Sequence, residues 1–118
     1  MLIGELARET GLSVHAIRFY EKRGLLPARF IRRGDNNYRS YAEEAMDRIA
    51  TIKNLSAAGF TLSEIKDLMD KWDSGKLTYR EGSAFMQRKM KEIDDRIDEL
   101  KQAKKNLIAT LEAHNKRD

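Results

Sequence analysis

With 118 residues, 41% of them hydrophobic and 36% charged, the chain has material for one modest core, and a domain of this size gains from burial against a partner. The formal charge of +4 permits a polyanionic partner without selecting one, whereas the lack of cysteine excludes disulfides, thiolate redox sensing, iron–sulfur clusters and cysteine metal sites. The two histidines, His15 and His114, lack metal-site spacing, so no metal or cofactor is expected.

No run approaches the ~20 apolar residues of a membrane helix. The opening MLIGELARE is too short an apolar stretch for a signal peptide, so a cytoplasmic location with no membrane partner is expected. Charge is unevenly spread. Residues 1–60 carry ten Lys/Arg against seven Asp/Glu, and four of those bases lie between Arg29 and Arg39 against the single acid Asp35. From 81 to 118 the count is nine against eight, so the tail is highly charged but nearly neutral.

Ile3, Leu6 and Ala7 repeat at helical spacing until Gly11, which predicts a short first helix. Ser13 is the expected N-cap of a second, with Ile17 and either Phe19 or Tyr20 facing inward and Gly24 ending it before Leu25-Leu26-Pro27. Two short helices joined by the tight turn Thr10-Gly11-Leu12 read as a helix-turn-helix, whose second helix is the one offered to a major groove.

Between Arg29 and Tyr41, apolar and aromatic residues flank a Gly-Asp-Asn-Asn centre, predicting two short strands around a turn. Arginines line this hairpin, where guanidinium groups can grip phosphate oxygens in pairs. A basic hairpin following a helix-turn-helix is a wing; the plainer alternative is a solvated basic loop.

A helix is predicted from about Ala42 to Ala58, with Ala45, Ile49, Ile52 and Leu55 as its stripe and Gly59 closing it. Thr61-Leu-Ser-Glu64 is a capping box opening another helix, in which Leu62, Ile65, Leu68, Met69 and Trp72 are candidate core residues. Trp72 fits core or interface packing, or else one wall of a ligand pocket. Thr78-Tyr-Arg-Glu81 is a second capping box. The helix after it carries Met86, Met90, Ile93, Ile97, Leu100, Lys104, Leu107 and Leu111 at alternating steps of four and three, a heptad register with Lys104 as its polar interruption. From 79 to 114 such a helix would be about 54 Å long, too long for a small head to cover. A second copy of the chain is therefore expected along the stripe. The boundaries expected are 1–72 for a winged helix-turn-helix head, 73–80 for a linker, 81–115 for a coiled-coil dimerisation helix and 116–118 for a tail: a mainly α fold.

Four blocks, in this order, resemble the MerR family of bacterial transcriptional regulators. They are Ile3-Gly-Glu-Leu-Ala7 with Gly11-Leu-Ser13, Arg18-Phe-Tyr-Glu-Lys22 with Gly24-Leu-Leu-Pro27, Tyr38-Arg-Ser-Tyr41, and Gly59-Phe-Thr-Leu-Ser-Glu-Ile65. The resemblance implies that Arg18, Tyr20 and Arg39 contact the DNA backbone, that Tyr38 and Tyr41 support the wing, with Tyr38 also a DNA contact, and that base edges are read near Ser13, Val14, His15 and Ala16. It also implies a homodimer with antiparallel helices on a near-palindromic promoter operator, activating by bending and untwisting DNA so that RNA polymerase, a further candidate partner, sees both promoter elements in phase.

Two departures from the family pattern stand out. Asn37 replaces a common glycine before Tyr38, and Ser56 stands where many members place a phosphate-touching Lys or Arg, with Lys53 a candidate substitute. Metal-sensing members use cysteines, which are absent here. A small-molecule effector, if there is one, is expected among Trp72, Tyr79, Phe85 and Met86; a regulator with no ligand fits equally. The alternative function is a MerR-like protein-interaction module, such as a chaperone-modulating adapter, against which the basic wing and Arg18 argue. An enzyme is not expected, because no paired acids, activated nucleophile or phosphate loop occurs.

Overall fold

The computed structural model describes residues 1–34 and 38–117. The expected turn at Asp35 to Asn37 lies outside them, as does Asp118. The chain divides into two units, Met1–Leu77 and Thr78–Asp118.

In the first unit, α1 (Ile3–Thr10) and α2 (Val14–Lys22) are separated by Gly11, whose φ of 73° is the left-handed conformation that only a residue without Cβ adopts freely. Ser13 caps α2 by accepting a hydrogen bond from the Ala16 amide at 3.0 Å. A second left-handed glycine, Gly24 at φ 76°, turns the chain after α2, and the amides of Leu25 and Leu26 both reach back to the Tyr20 carbonyl. This folds Leu25 and Leu26 inward, where each is 1% exposed.

A 3-10 turn (Ala28–Phe30) leads into β1 (Ile31–Arg33), which pairs antiparallel with β2 (Arg39–Tyr41) in the register Ile31 to Tyr41, Arg32 to Ser40 and Arg33 to Arg39. Because side chains alternate across a strand, Ile31 and Tyr41 lie on the same face as Arg33 and Arg39. The base of that face is apolar and joins the core; its end toward the turn is cationic. Tyr41 also exchanges backbone hydrogen bonds with Met1, anchoring the hairpin beside the start of α1.

The core gathers Leu6 of α1, Ile17 of α2, Leu26, Tyr41, and Ala45 and Ile49 of α3 (Glu44–Ala57). α3 begins two residues later than the sequence predicts, but its whole stripe, Ala45, Ile49, Ile52 and Leu55, is buried. Thr61 and Glu64 form the reciprocal capping box that starts α4 (Leu62–Asp73). Ile65, Leu68 and Met69 are buried on that helix, whereas Leu62 and Trp72, expected in the core, are 38% and 65% exposed. The correction follows from angle: on a 100° repeat the buried triplet occupies one side of α4, Leu62 is at the capped first turn, and Trp72 is at the last turn, where little of the head remains to cover it.

In the second unit, Thr78 caps α5 (Tyr79–Asn115) by accepting from the Glu81 amide at 3.1 Å. The helix has 37 residues and none is buried. At 1.5 Å per residue it extends about 55 Å. Residues 74–78 alone separate it from α4.

Candidate nucleic-acid interface

α2 divides its side chains by angle. Ile17 is buried and Tyr20 packs against the core, while His15, Arg18, Lys22 and Arg23 are exposed. His15, Arg18 and Lys22 follow one another at steps of three and four, so they line one edge of the helix. Ser13 is exposed, but its oxygen already serves the cap, leaving its O–H to donate. Val14 and Ala16 are half-buried at the first turn and present only apolar surface.

The wing supplies a second row. Arg32, Arg33 and Tyr38 are exposed, Tyr38 to 68%. Arg39 points one guanidinium nitrogen at Glu21 of α2, 2.7 Å from Oε2. The other carboxylate oxygen, Oε1, accepts a hydrogen bond from the Tyr41 hydroxyl. Burial, reinforced by that hydrogen bond and by the carboxylate's charge, pushes the Tyr41 hydroxyl up to about 12, so it stays a donor at any physiological pH. Arg8 and Tyr38 share with Arg39 the walls of an open cleft between the start of α1 and the wing. Among the described residues, no carboxylate lies within ion-pair distance of Arg18, Arg32 or Arg33.

Two cations that sequence suggests for phosphate are otherwise engaged. Lys53 donates to the Thr10 carbonyl at 2.6 Å, closing the C-terminal end of α1, where a positive charge also meets the negative end of the helix dipole. It is therefore part of the head's frame, with two further N–H donors left over beside Ser56. Arg29 donates to Asp73 at 2.7 Å.

Asp73 also receives two hydrogen bonds from Arg48, at 2.8 and 2.9 Å, while Arg48 Nε donates to the Leu25 carbonyl at 2.8 Å. The hydrogen bonds from Arg48, then the one from Arg29, hold the Asp73 carboxyl below the ordinary aspartate range against the opposing effect of burial. Sequence reasoning missed both this cluster and Glu21. Each had a signal: Arg48 lies three residues after Ala45 and four before Ile52, within the apolar stripe, and a charge there requires a buried partner. Glu21 is an acid on the helix offered to a polyanion, which calls for a cation of the protein's own.

The first 72 residues match the family of MerR HTH regulatory proteins, and residues 46–110 match a second family profile described as MerR, DNA binding. The chain belongs to the MerR family. It is accordingly a DNA-binding regulator of transcription and not an enzyme.

This MerR chain is 36% identical over 112 residues to the HTH-type transcriptional regulator ZntR homolog of Haemophilus influenzae, covering 95% of this chain and 82% of that one. It is 35% identical over 106 residues to the mercuric resistance operon regulatory protein of Bacillus cereus, covering 90% and 79%. In three dimensions it resembles HiNmlR, a MerR family regulator lacking the sensor domain and bound to promoter DNA, with a TM-score of 0.76, 25% identity and coverage of 98% of this chain and 90% of that one. The metal in the Bacillus protein's name finds no matching donor set: this chain has no cysteine, and among the described residues no group of three His, Asp or Glu side chains could hold an ion. Among the same residues no helix is long and apolar enough to cross a membrane.

Proposed function

We propose that this MerR chain binds a near-palindromic promoter operator as a homodimer, and activates transcription by distorting the DNA between its two heads so that RNA polymerase can engage both promoter elements. The observation that carries the reading is the set of exposed cations, Arg18 on α2 and Arg32 and Arg33 on the two faces of the wing, all unneutralised among the described residues. Such charges gain most from phosphates, whose contacts release counterions and fix orientation without reading sequence.

Arg18, Tyr20, Tyr38 and Arg39 position the head on the backbone. Within the groove, His15 is the side chain with polar reach, and Val14 and Ala16 offer the apolar surface that a thymine methyl group accepts. The likeness to HiNmlR, a MerR family regulator bound to promoter DNA, supports the reading.

The homodimer rests on α5. Met90, Ile93, Ile97, Leu100, Leu107 and Leu111 are all at least one-third exposed along one heptad seam, and two copies of that seam would bury each other. Residues 81–115 then act as the dimerisation helix, Met86 and Lys104 included. A two-fold protein demands a two-fold site, and the helix sets its half-site spacing. The protein works in the cytoplasm, at the nucleoid when bound. Trp72, at the end of α4, is 65% exposed, and Tyr79, at the start of α5, is 91% exposed, so each keeps an open aromatic face, while Phe85 and Met86 are half-buried on α5.

Titrating the chain against mixed genomic DNA fragments at several salt concentrations tests the reading. Affinity should fall steeply with salt, by about 0.9 log unit per log unit of salt for each phosphate held. Weak binding indifferent to salt would overturn it and favour the protein-interaction module.

A further inference from the structure

A carboxylate on the helix offered to DNA repels what the helix must approach. Glu21 nevertheless sits one turn beyond Arg18 with its side chain only 12% exposed and both oxygens engaged, one by the Tyr41 hydroxyl and one by Arg39 at 2.7 Å. These contacts form a short line from the core outward. Tyr41 is 3% exposed and held through its backbone by Met1; it fixes Glu21, and Glu21 fixes Arg39.

A guanidinium carries five N–H donors. Arg39 spends one on Glu21, and its side chain remains 41% exposed, so the others are open to a second anion. Arg33 lies directly across the strand pair from Arg39. Like charges in that position push each other apart, and without Glu21 nothing among the described residues would keep Arg39 against α2. An arriving phosphate is also poorly placed to displace Glu21, because the mostly buried carboxylate would then keep a single hydroxyl as its partner.

We propose that Glu21 is a positioning residue for DNA binding. It holds the Arg39 guanidinium on α2 so that the remaining donors receive a phosphate, and it thereby sets the wing at a fixed offset from the reading edge of α2. The proposal rests on the DNA-binding reading. It differs from a merely structural staple in assigning Glu21 an effect on DNA that exists only through Arg39.

The test is a double-mutant cycle on the full chain: wild type, Glu21→Gln, Arg39→Ala and the double variant, each titrated by fluorescence anisotropy against a mixed-sequence duplex over a range of salt. Wild type should show a steep salt dependence. Arg39→Ala should reduce its slope by about 0.9, the value of one phosphate contact. Glu21→Gln should reduce it equally, and Arg39→Ala should add nothing further in the Glu21→Gln background.

An Arg39→Ala effect of full size in that background overturns the proposal, as does Glu21→Gln binding with wild-type or steeper slope, which would mark Glu21 as a repulsive charge only. Thermal unfolding of each variant separates lost folding from lost binding; should Glu21→Gln unfold, Glu21→Asp, which keeps the charge but withdraws it from Arg39, takes its place in the cycle with the same expected sign. Salt-indifferent binding by wild type would remove the DNA reading itself, whereas salt-dependent binding with no coupling between the two positions removes only the role of Glu21.

Discussion

The two units are built from the same residue types and stabilised in opposite ways. Residues 1–77 turn their apolar side chains inward: Leu6, Ile17, Ile49, Ile52 and Ile65 are each wholly excluded from solvent. α5 contains 37 residues and buries none, although Ile97, Leu100 and Leu107 are 43%, 53% and 71% exposed on its seam. The head satisfies its own chain, while the helix carries an apolar seam that its own unit does not cover. Mutations should therefore separate the two, with oligomeric state the sensitive quantity in one and unfolding free energy in the other.

The largest separation is expected from Ile97→Asp. A charge in the middle of the seam would have to be buried twice in a symmetric dimer, at more than about 3 kcal/mol. Sedimentation should show a monomer, and operator affinity should fall with it, while the head's near-UV circular dichroism is unchanged. A stable dimer from this variant would break the comparison at its root.

Next comes Arg48→Ala, which acts on the head alone. It leaves the Leu25 carbonyl without that donor and Asp73 with Arg29 only, a loss of about 3 kcal/mol of folding stability, the lower end for a broken buried pair because Asp73 keeps some solvent. Denaturant unfolding should register it, and the dimer constant should not move. The same pair governs the acid limb of stability. The folded pKa of Asp73 is depressed, so its contribution is present above the ordinary aspartate range and lost as pH falls through the lower folded value. Asp73→Asn should flatten that limb in a pH series of unfolding midpoints.

A smaller effect is expected from Ser13→Ala, about 1 kcal/mol from the lost cap of α2. DNA affinity should fall by no more than the added fraying of the first turn explains. A larger loss for DNA than for stability would identify the Ser13 hydroxyl as a DNA contact as well as a cap.

What could be read from the sequence follows the range of the interactions. Ser13, Thr61 and Thr78 each act on an amide three residues away, and Gly11 and Gly24 act on their own φ, so the helix boundaries are local facts visible in short strings. The long α5 was legible for the same reason, since its cap is local and its apolar spacing repeats along one helix. Residues that act across distance were not. Arg48 finds Asp73 twenty-five positions away and Lys53 reaches Thr10 forty-three positions back, and only the packing of α3 against its neighbours brings them together. Trp72 failed as a core residue because angular position identifies a face without saying how far the partner surface extends. On the binding face, Arg18 and Arg39 were named from the motif, but the motif gave no sign that Arg39 is held by Glu21 while no described carboxylate holds Arg18.

His15 is exposed on the edge of α2 and, among the described residues, makes no hydrogen bond or ion pair inside the head. The cap before it and the buried Ile17 after it carry the folding work of that turn. A substitution at 15 should thus change stability by only about 0.5 kcal/mol or less. On the proposed reading, in which His15 meets base edges, operator preference can drift, or be redesigned, one residue at a time on an unchanged scaffold: related proteins can share this head and still answer to different stretches of a genome.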